Sequence, residues 1–372
     1  MQLGTALVVG ALLVLGALLV GMLSVKLSKK GWAWLLRQTI EDEACTVRKN
    51  LPPVQPGSRG IVMCAGGKYL AEAFASLITI RQSGCSLPVW LVHAGPEEVT
   101  DTDRRAFAKA FGSSVRFVDA YDYNLGVDPT SLRGFEIKPY ALLLAPFEHT
   151  LLLDADCGVL GRNPESLFND PAYKQSGNIF WPDYWTSAEL VRPWMIGCFC
   201  DAQMPPGFET ESGQVVVNKR RCLEGLVYAW LLNKHSSIFY KHYYGDKDLF
   251  RIGFLMAGLP FYQVPYSPGL LGTKDEDEEI VLCAMVQKQP STGRPLFAHR
   301  TMHKRISTDR EPLWDLYAPN HGEFGGQPTA TWKNMNQGTC LGALCDQVRS
   351  SPQQWRTINE TILAAEKNYP SA

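Results

Sequence analysis

Hydrophobic and polar positions between residues 60 and 153 follow two alternating patterns. Short apolar runs, which are typical of buried strands, alternate with stretches whose apolar residues recur at helical spacing. The apolar runs predict strands over 61–65, 87–93, 115–118 and 151–153, and the helical stretches are 69–83, 101–111 and 138–147. This alternation predicts an α/β fold with a mainly parallel sheet and helices on both faces. Ligands bind such sheets beyond the carboxyl ends of the strands, so we expect a site there.

The fourth predicted strand ends in two carboxylates, Asp154 and Asp156, which are one residue apart. Two carboxylates this close cost repulsion and desolvation unless they converge on a cation. Mg²⁺ or Mn²⁺ held in this way keeps positions open for substrate phosphates. The same tripeptide also occurs in solvated turns, but its position at the end of a predicted strand favours a metal site.

The first predicted strand is followed by Gly66 and Gly67. Two interpretations are open: a tight turn from strand to helix, or a close approach of the backbone to a nucleotide that a side chain would block. The surrounding residues match neither the GxGxxG fingerprint nor a Walker sequence. Because the carboxyl ends of parallel strands meet at one edge, these glycines and the two carboxylates could share one cleft.

Residues 3–25 contain no charged side chain and are long enough to cross a hydrocarbon core of about 30 Å. The stretch is longer than the apolar part of a typical signal peptide, and no basic segment precedes it. We therefore predict a single transmembrane anchor over 1–25. Its orientation stays open, because Lys26, Lys29 and Lys30 favour a cytosolic position for the following chain, whereas the sequon at Asn359 matters only in a lumenal chain.

Composition and charge exclude some classes of function. The chain has 372 residues, 45% of them hydrophobic, and a formal net charge of −1. These values are ordinary for a globular protein and give no bulk attraction to nucleic acid. The ten cysteines form no CxxC pair and lack the companion histidine spacing of a zinc site. We therefore predict neither a nucleic-acid partner nor a zinc module.

Several further motifs follow one another in a specific order. They are GIVMCAGGKY at 60–69, SGCSLPV at 83–89, IKPYA at 137–141, DAD at 154–156, ESGQ at 211–214, NKRR at 218–221 and GDKDLFR at 245–251. Each motif alone is modest, but the ordered set resembles glycosyltransferase family 71, the fungal-type Golgi α-mannosyltransferases. The similarity covers roughly residues 60 to 305, which is most of the chain beyond the predicted anchor.

The resemblance implies a GT-A type nucleotide-sugar transferase fold and a retaining, metal-dependent reaction. Such enzymes move mannose from GDP-mannose onto a mannoside, as part of a glycan or glycoprotein acceptor, with Mn²⁺ or Mg²⁺ as cofactor. They are single-pass type II proteins of the Golgi membrane. The corresponding boundaries in this chain are an anchor over 1–25, a stem over 26–58, a catalytic domain over 59–310 and a C-terminal extension over 311–372.

The resemblance also suggests roles for individual residues. It implies direct metal ligation by Asp156, with Asp154 reaching the ribose or a metal-bound water. Related families often add a late histidine, which suits Mn²⁺, and we favour His299 over His303 for this role. Lys304 or Arg305 could hold phosphate oxygens. The predicted metal ligands are Asp154, Asp156 and His299, and the predicted nucleotide-sugar contacts are Ala65, Gly66, Gly67, Lys138, Asp154 and Lys304.

Glu211, Asp246 and Asp248 are the predicted catalytic carboxylates. A carboxylate near the anomeric carbon could stabilise an oxocarbenium-like state or form a covalent adduct. Asp246 and Asp248 also open a helical stretch, where acids favour the positive end of the helix dipole. Spacing alone does not decide which carboxylate faces the sugar.

Aromatic residues cluster at Trp181, Tyr184, Trp185 and Trp194. Their rings could stack on an acceptor sugar, but large aromatic residues more often belong to the core.

Three alternatives compete with the mannosyltransferase hypothesis. A UDP-sugar donor would use the same metal and diphosphate chemistry. A non-catalytic sugar-binding protein of the same fold would keep the site without turnover. An aspartate-nucleophile phosphatase is disfavoured, because Gly158 stands where that class carries Thr or Val, and because three predicted strands precede the motif.

Overall fold

Two β-sheets meet at the carboxyl end of the fourth predicted strand. The computed structural model describes residues 29–126, 132, 134–160, 162–186, 208–274, 280–300 and 312–313. The strands are β1 (Gln55–Cys64), β2 (Val89–His93), β3 (Val115–Asp119), β4 (Phe147–Asp154), β5 (Cys157–Val159), β6 (Asn178–Thr186), β7 (Phe208–Asn218), β8 (Gly269–Lys274), β9 (Ile280–Lys288), β10 (Pro295–His299) and β11 (Pro312–Leu313). The α-helices are α1 (Lys29–Lys49), α2 (Leu70–Gln82), α3 (Asp101–Phe111), α4 (Ile137–Leu144), α5 (Pro171–Ser176), α6 (Leu223–Lys234), α7 (Ser236–Phe239) and α8 (Lys247–Met256).

The larger sheet contains six strands in the order β3-β2-β1-β4-β7-β6. Strands β1 to β4 pair in parallel, and β7 runs antiparallel to both β4 and β6. The predicted mainly parallel, mixed sheet with flanking helices is therefore confirmed.

The central strands carry continuous apolar runs because both faces of the sheet are buried. In β4, Leu152 packs into one hydrophobic cluster, whereas Leu151 and Leu153 pack into the cluster on the other face. β1 divides in the same way between Val62 and its neighbour Ile61. This double burial fixes the register of β4 and therefore the position of the carboxylate at its end.

Helix ends agree with the sequence where a capping or helix-breaking residue marks them. Helix α3 occupies the predicted 101–111 and begins with a capping box of Thr100 and Asp103. Helix α4 is shorter than the predicted 138–147, because Pro146 cannot continue a helix and Phe147 already belongs to β4.

The structure differs from the expected stem over 26–58, since most of these residues form α1 and the start of β1. Ile40, Ala44 and Val47 are fully buried where α1 packs against α6. Their spacing of four and three positions places them on one face of the helix. Near the end of α1, the guanidinium of Arg48 donates to both carboxylate oxygens of Glu224, at 3.1 Å and 2.6 Å. This segment is therefore part of the folded domain.

No helix among the described residues is both long and apolar enough to cross a membrane. The predicted anchor over 1–25 lies outside the described residues, and so does the predicted C-terminal extension apart from 312 and 313.

The smaller sheet is antiparallel, with the strand order β11-β8-β9-β10-β5. Its last strand, β5, follows β4 after a two-residue turn, so the two sheets are joined at the predicted metal motif. The pairing of β10 with β5 sets His299 opposite Cys157. In this way a residue late in the chain reaches the end of β4.

We expect Gly253→Ala to lower the free energy of unfolding by about 1–3 kcal/mol, because the methyl group would overpack the contact between α8 and α6. A Cβ at position 253 would lie 2.8 Å from the carbonyl oxygen of Gly225, and backbone cannot easily move aside. Gly158→Ala is a matched control, since its Cβ would find only ordinary contacts, the nearest at 3.5 Å. Urea unfolding of the two variants tests this; equal stability would contradict it.

Candidate active site

The candidate site lies where β4 ends, next to β5, β7, β10 and the first turn of α4. Asp154 is the last residue of β4, and Asp156 lies in the turn that leads to β5. The pairing of β7 with β6 is irregular, shifting from Val215 to Glu211 between neighbouring residues of β6. Such a bulge redirects side chains, and here it brings the polar segment 211–213 to the end of β4.

Asp154, Asp156 and His299 offer three ligand atoms that all lie within 4.8 Å of one another. The Nε2 atom of His299 is 3.1 Å from Asp156 Oδ1 and 3.6 Å from Asp154 Oδ2. Asp156 and His299 are buried, and Asp154 is partly exposed. Two carboxylates and one imidazole form a donor set that suits Mn²⁺ or Mg²⁺. The structure thus brings together the three residues predicted as metal ligands.

Glu211 faces the other side of the His299 ring. Its Oε1 atom accepts a hydrogen bond of 2.6 Å from the backbone N–H of Gly213 and lies 3.2 Å from His299 Nδ1. The latter is an ion-pair distance without the direction of a good hydrogen bond. A carboxylate at this nitrogen fixes the orientation of the imidazole and leaves Nε2 for a metal. Glu211 is therefore placed to position His299.

Electrostatics reinforce this pairing. Burial alone would raise the pKa of Glu211, but the charge of the neighbouring His299 lowers it to about 2. Burial would likewise lower the pKa of His299, and the charges of Asp156 and Glu211 raise it well above its usual value. In the arrangement seen here, Glu211 is ionised at neutral pH and His299 is held by acids on both sides.

Position 213 requires glycine, because the ring of His299 occupies the space that a side chain would need. A Cβ at this position would overlap His299 Nδ1 and lie 2.9 Å from Glu211 Oε1. Any side chain at position 213 would therefore move the imidazole away from Asp154 and Asp156.

Lys138, in the first turn of α4, links the acids on the opposite side of the site. Its ammonium group donates hydrogen bonds to Asp154 Oδ2 at 2.8 Å and to Ser212 Oγ at 3.2 Å, and it lies 3.7 Å from Asp246 Oδ2. Burial opposes the charge, but Asp154 and Asp246 outweigh it and raise the pKa of Lys138. The sequence predicts a nucleotide-sugar contact for this lysine, and the structure places it on the carboxylates of the site.

Asp246 and Asp248 lie in different environments. Asp246 makes no side-chain cap at the start of α8 and instead points to Lys138. Asp248 is almost fully buried and accepts a hydrogen bond of 3.1 Å from the backbone N–H of Thr210. Burial and the nearby charge of Glu209 raise the pKa of Asp248 to about 7. Asp246 therefore belongs to the candidate site, whereas Asp248 belongs to a neighbouring buried cluster.

That neighbouring cluster is held by Lys247, which forms ion pairs with Asp183 and, at 3.0 Å, with Glu209. Its position at the start of α8 fixes the backbone next to Asp246. The cluster thus gives structural support to the site without joining it.

Local packing explains both glycines after β1. A Cβ at Gly66 would overlap the carboxylate of Glu98, and Gly67 has a φ of +51°, which favours glycine. Ala65 is buried and donates its backbone N–H to the carbonyl of Val92 at 3.0 Å. These contacts support the tight-turn interpretation, and a nucleotide contact stays a prediction.

Trp181 belongs to the core. It is fully buried, and its indole N–H donates to the carbonyl of Lys288 at 2.7 Å. The side chains of Tyr184 and Trp185, and the whole of Trp194, His303, Lys304 and Arg305, lie outside the described residues.

Sequence reasoning missed the hydroxyl of Ser212 and the contact of Gly213 with His299. The available signal was a glycine within a strand-like segment, which often marks a bulge or a close approach. The partners of Lys138 had no signal in the sequence, because they come from three separate segments.

Comparison with known proteins agrees with the motifs. The family described as "Mannosyltransferase putative" matches residues 58–196 and 199–294 of this chain. The chain therefore belongs to this mannosyltransferase family, which confirms the resemblance seen in the sequence.

Two curated relatives are fungal enzymes. Alpha-1,2-mannosyltransferase MNN23 of Candida albicans is 26% identical over 323 residues, covering 73% of this chain and 53% of the relative. Alpha-1,2-mannosyltransferase MNN2 of Saccharomyces cerevisiae is 26% identical over 260 residues, covering 59% of this chain and 43% of the relative. The chain thus spans about half the length of the curated relatives that it matches.

Among solved structures, the mannosyltransferase Ktr4p from S. cerevisiae is similar over 59% of this chain and 76% of that chain, with a TM-score of 0.38 and 9% identity.

We expect Asp248→Asn to become increasingly more stable than the wild type as the pH rises from the usual carboxyl pKa of 3.8 to about 7. In this window the unfolded wild type releases a proton that the folded state retains, so wild-type stability falls by at most about 1.4 kcal/mol per pH unit. The asparagine cannot ionise and can still accept from Thr210. Urea unfolding across this range measures the difference, and a pH-independent difference would contradict the buried, protonated state of Asp248.

Proposed function

We propose that this chain is a metal-dependent, retaining α-mannosyltransferase that moves mannose from GDP-mannose to a mannoside. The observation that carries the proposal is the convergence of Asp154, Asp156 and His299 at the carboxyl edge of the larger sheet. Membership of a mannosyltransferase family supports the sugar, and the names of the two relatives support an α-mannoside product. A nucleotide sugar with its diphosphate is the ligand class that such a donor set serves.

The proposal has structural and cellular parts that follow from the same family. The fold would be of the GT-A type, with an anchor over 1–25 that holds the chain in the Golgi membrane as a type II protein. The uncharged stretch over 3–25 supports the anchor. The mixed sheet, with its acids at the carboxyl edge, supports the fold assignment.

Mn²⁺ or Mg²⁺ would be held by Asp156, His299 and Asp154. When bound, such a cation supplies Lewis-acid stabilisation of the negative charge on a departing diphosphate. Glu211 would orient His299, and Lys138 would hold the Asp154 carboxylate in place. These supporting contacts, at 2.8 Å from Lys138 to Asp154 and 3.2 Å from Glu211 to His299, would orient two of the three ligands.

Asp246 is the best candidate for the carboxylate that faces the sugar. Glu211 is engaged with His299, and Asp248 accepts from the backbone of Thr210. Asp246 lies 3.7 Å from the ammonium of Lys138, and within the described part of the chain its Oδ2 atom accepts no hydrogen bond. In a retaining transfer, its carboxylate would stabilise positive charge at the anomeric carbon as the bond to the diphosphate oxygen breaks.

A UDP-sugar donor is the second candidate, because none of these contacts would distinguish the guanine of GDP-mannose from the uracil of a UDP-sugar. A non-catalytic sugar-binding protein is a third, and it would retain glycan binding after Asp156→Ala. Full-chain assays with GDP-mannose and with UDP-sugars, each with and without Mn²⁺, separate the three functions.

We expect Asp156→Asn and Gly213→Ala each to weaken Mn²⁺ binding by at least about tenfold, the first by removing a ligand charge and the second by displacing His299. Titration followed by electron paramagnetic resonance measures the affinity without any substrate. Asp248→Asn serves as the control and should bind Mn²⁺ as the wild type does. Unchanged affinity in Asp156→Asn would refute the metal site.

We expect Asp246→Asn to lower the transfer rate by about 10²–10⁴-fold, because the amide carries no charge to stabilise the sugar. Mn²⁺ affinity should change little, since Asp246 is not among the three clustered ligands. The rate is measured as mannose transferred from GDP-mannose to mannobiose. A variant that keeps the full rate would remove Asp246 from the mechanism.

A further inference from the structure

Two exposed aromatic rings lie beside buried ammonium groups, one in the candidate site and one in the neighbouring cluster of Lys247. Phe135 is 57% exposed and Tyr244 is 77% exposed, whereas most large aromatic residues of the described chain are buried. The ammonium of Lys138 lies 5.5 Å from the centroid of the Phe135 ring, and that of Lys247 lies 5.4 Å from the centroid of Tyr244. Each ring therefore covers a buried ammonium on one side and keeps much of its surface in solvent.

The backbone around Gly245 connects the two rings. Gly245 follows Tyr244 directly, and a Cβ built on it would lie 3.6 Å from Cδ2 of Phe135. Gly245 also has a φ of +76°, which turns the chain sharply before Asp246. Phe135, Tyr244 and Asp246 thus belong to one small region of the surface, although they come from two separate segments.

Asp246 adds a polar group to this region. Its side chain is buried, and its Oδ2 atom accepts no hydrogen bond from the part of the chain that the structure describes. The ammonium of Lys138, at 3.7 Å, and the hydroxyl of Ser212 compensate part of its charge, and a ligand hydroxyl that donates to Oδ2 would stabilise it further. Aromatic surface combined with a carboxylate suits a pyranose ring, which presents apolar C–H groups on one face and hydroxyl donors at its rim.

We propose that Phe135 and Tyr244 form a platform for a pyranose ring, with Asp246 as the acceptor for one of its hydroxyl groups. The inference rests on the proposed function in one respect: the ring belongs either to the donor sugar or to the acceptor saccharide of the transfer reaction. The platform consists of two residues outside the aromatic cluster of 181–194, which the sequence raised as possible stacking residues.

The test compares Phe135→Ala and Tyr244→Ala in the full chain with Tyr244→Phe, which keeps the ring. Tyr266→Ala is the matched control for loss of an exposed ring, because Tyr266 packs against Gly293 in the turn before β10, at the opposite end of that strand from His299. KM is measured for GDP-mannose and for mannobiose separately, and mannobiose binding is measured by saturation-transfer NMR. The alanine variants should raise one KM about tenfold with little change in kcat, as expected when ground-state and transition-state binding are lost equally.

The two KM values identify the sugar. A higher KM for mannobiose places the acceptor on the platform, and a higher KM for GDP-mannose alone places the donor sugar there; either result supports the proposal.

Wild-type KM values and NMR signals in both alanine variants would overturn it. Phe135→Leu, which keeps apolar volume without a ring, should behave like Phe135→Ala and guards against a folding defect. If the wild type transfers no mannose, the proposed function fails, and saturation-transfer NMR with mannobiose and with GDP-mannose still decides the platform: a signal lost in the alanine variants supports it, and unchanged signals for both ligands overturn it.

Discussion

Charge balance among buried side chains is the constraint on which the rest of the site depends. The acids are Asp154, Asp156, Glu211 and Asp246, and the cationic side chain among them is Lys138, which pairs with Asp154 and Asp246. His299 lies between Asp156 and Glu211, and its imidazole must be neutral for Nε2 to bind a metal. With the acids ionised, negative charge exceeds positive charge in a largely buried space, which costs desolvation and repulsion unless a cation compensates for it. The arrangement therefore favours a site that binds a cation over one that is only structural.

The fold meets this constraint by bringing distant segments to one strand end. β4 is fixed by burial on both faces, so Asp154 has little freedom. The smaller sheet delivers His299 through the pairing of β10 with β5, and the irregular pairing of β7 delivers Glu211. Helix α4 supplies Lys138 at its first turn. Each charged group is held by an element whose position is set by hydrophobic packing elsewhere, which is how a scaffold keeps a polar site rigid.

The sequence predicted the parts of the structure that depend on local pattern. The four parallel strands of the larger sheet and α3 follow from apolar runs and helical spacing, and the site edge follows from Asp154 and Asp156 at a strand end. The late histidine was expected from the family resemblance. By contrast, the roles of Glu211 and Asp248 depend on which way a bulged strand and a helix start turn their side chains. These orientations depend on long-range packing, which the spacing of hydrophobic residues along the sequence does not predict.

The packing of α1 was not predicted, and the reason differs from that for the side-chain orientations. Its buried face has helical spacing, but the proline-rich segment after it suggested a linker, and the partner helix α6 comes much later in the chain. An apolar helix face shows where the helix packs only when the helix that covers it is known. Local pattern therefore located the edge that carries the candidate site, whereas the contacts of individual side chains depend on tertiary packing.

The start of α8 shows how support and chemistry are divided between neighbouring residues. Asp246 turns to Lys138 in the site, whereas Lys247 turns to Asp183 and Glu209 in the supporting cluster. Because the lysine is bound on two sides, the backbone at 246 is fixed although Asp246 itself makes no cap. A carboxylate in the proposed role of stabilising charge on a sugar benefits from a backbone that is already in position. Lys138 Nζ lies 2.8 Å from Asp154 and 3.7 Å from Asp246 Oδ2. The shorter contact fixes Asp154, whereas Oδ2 of Asp246 keeps the capacity to accept a hydrogen bond from the proposed sugar.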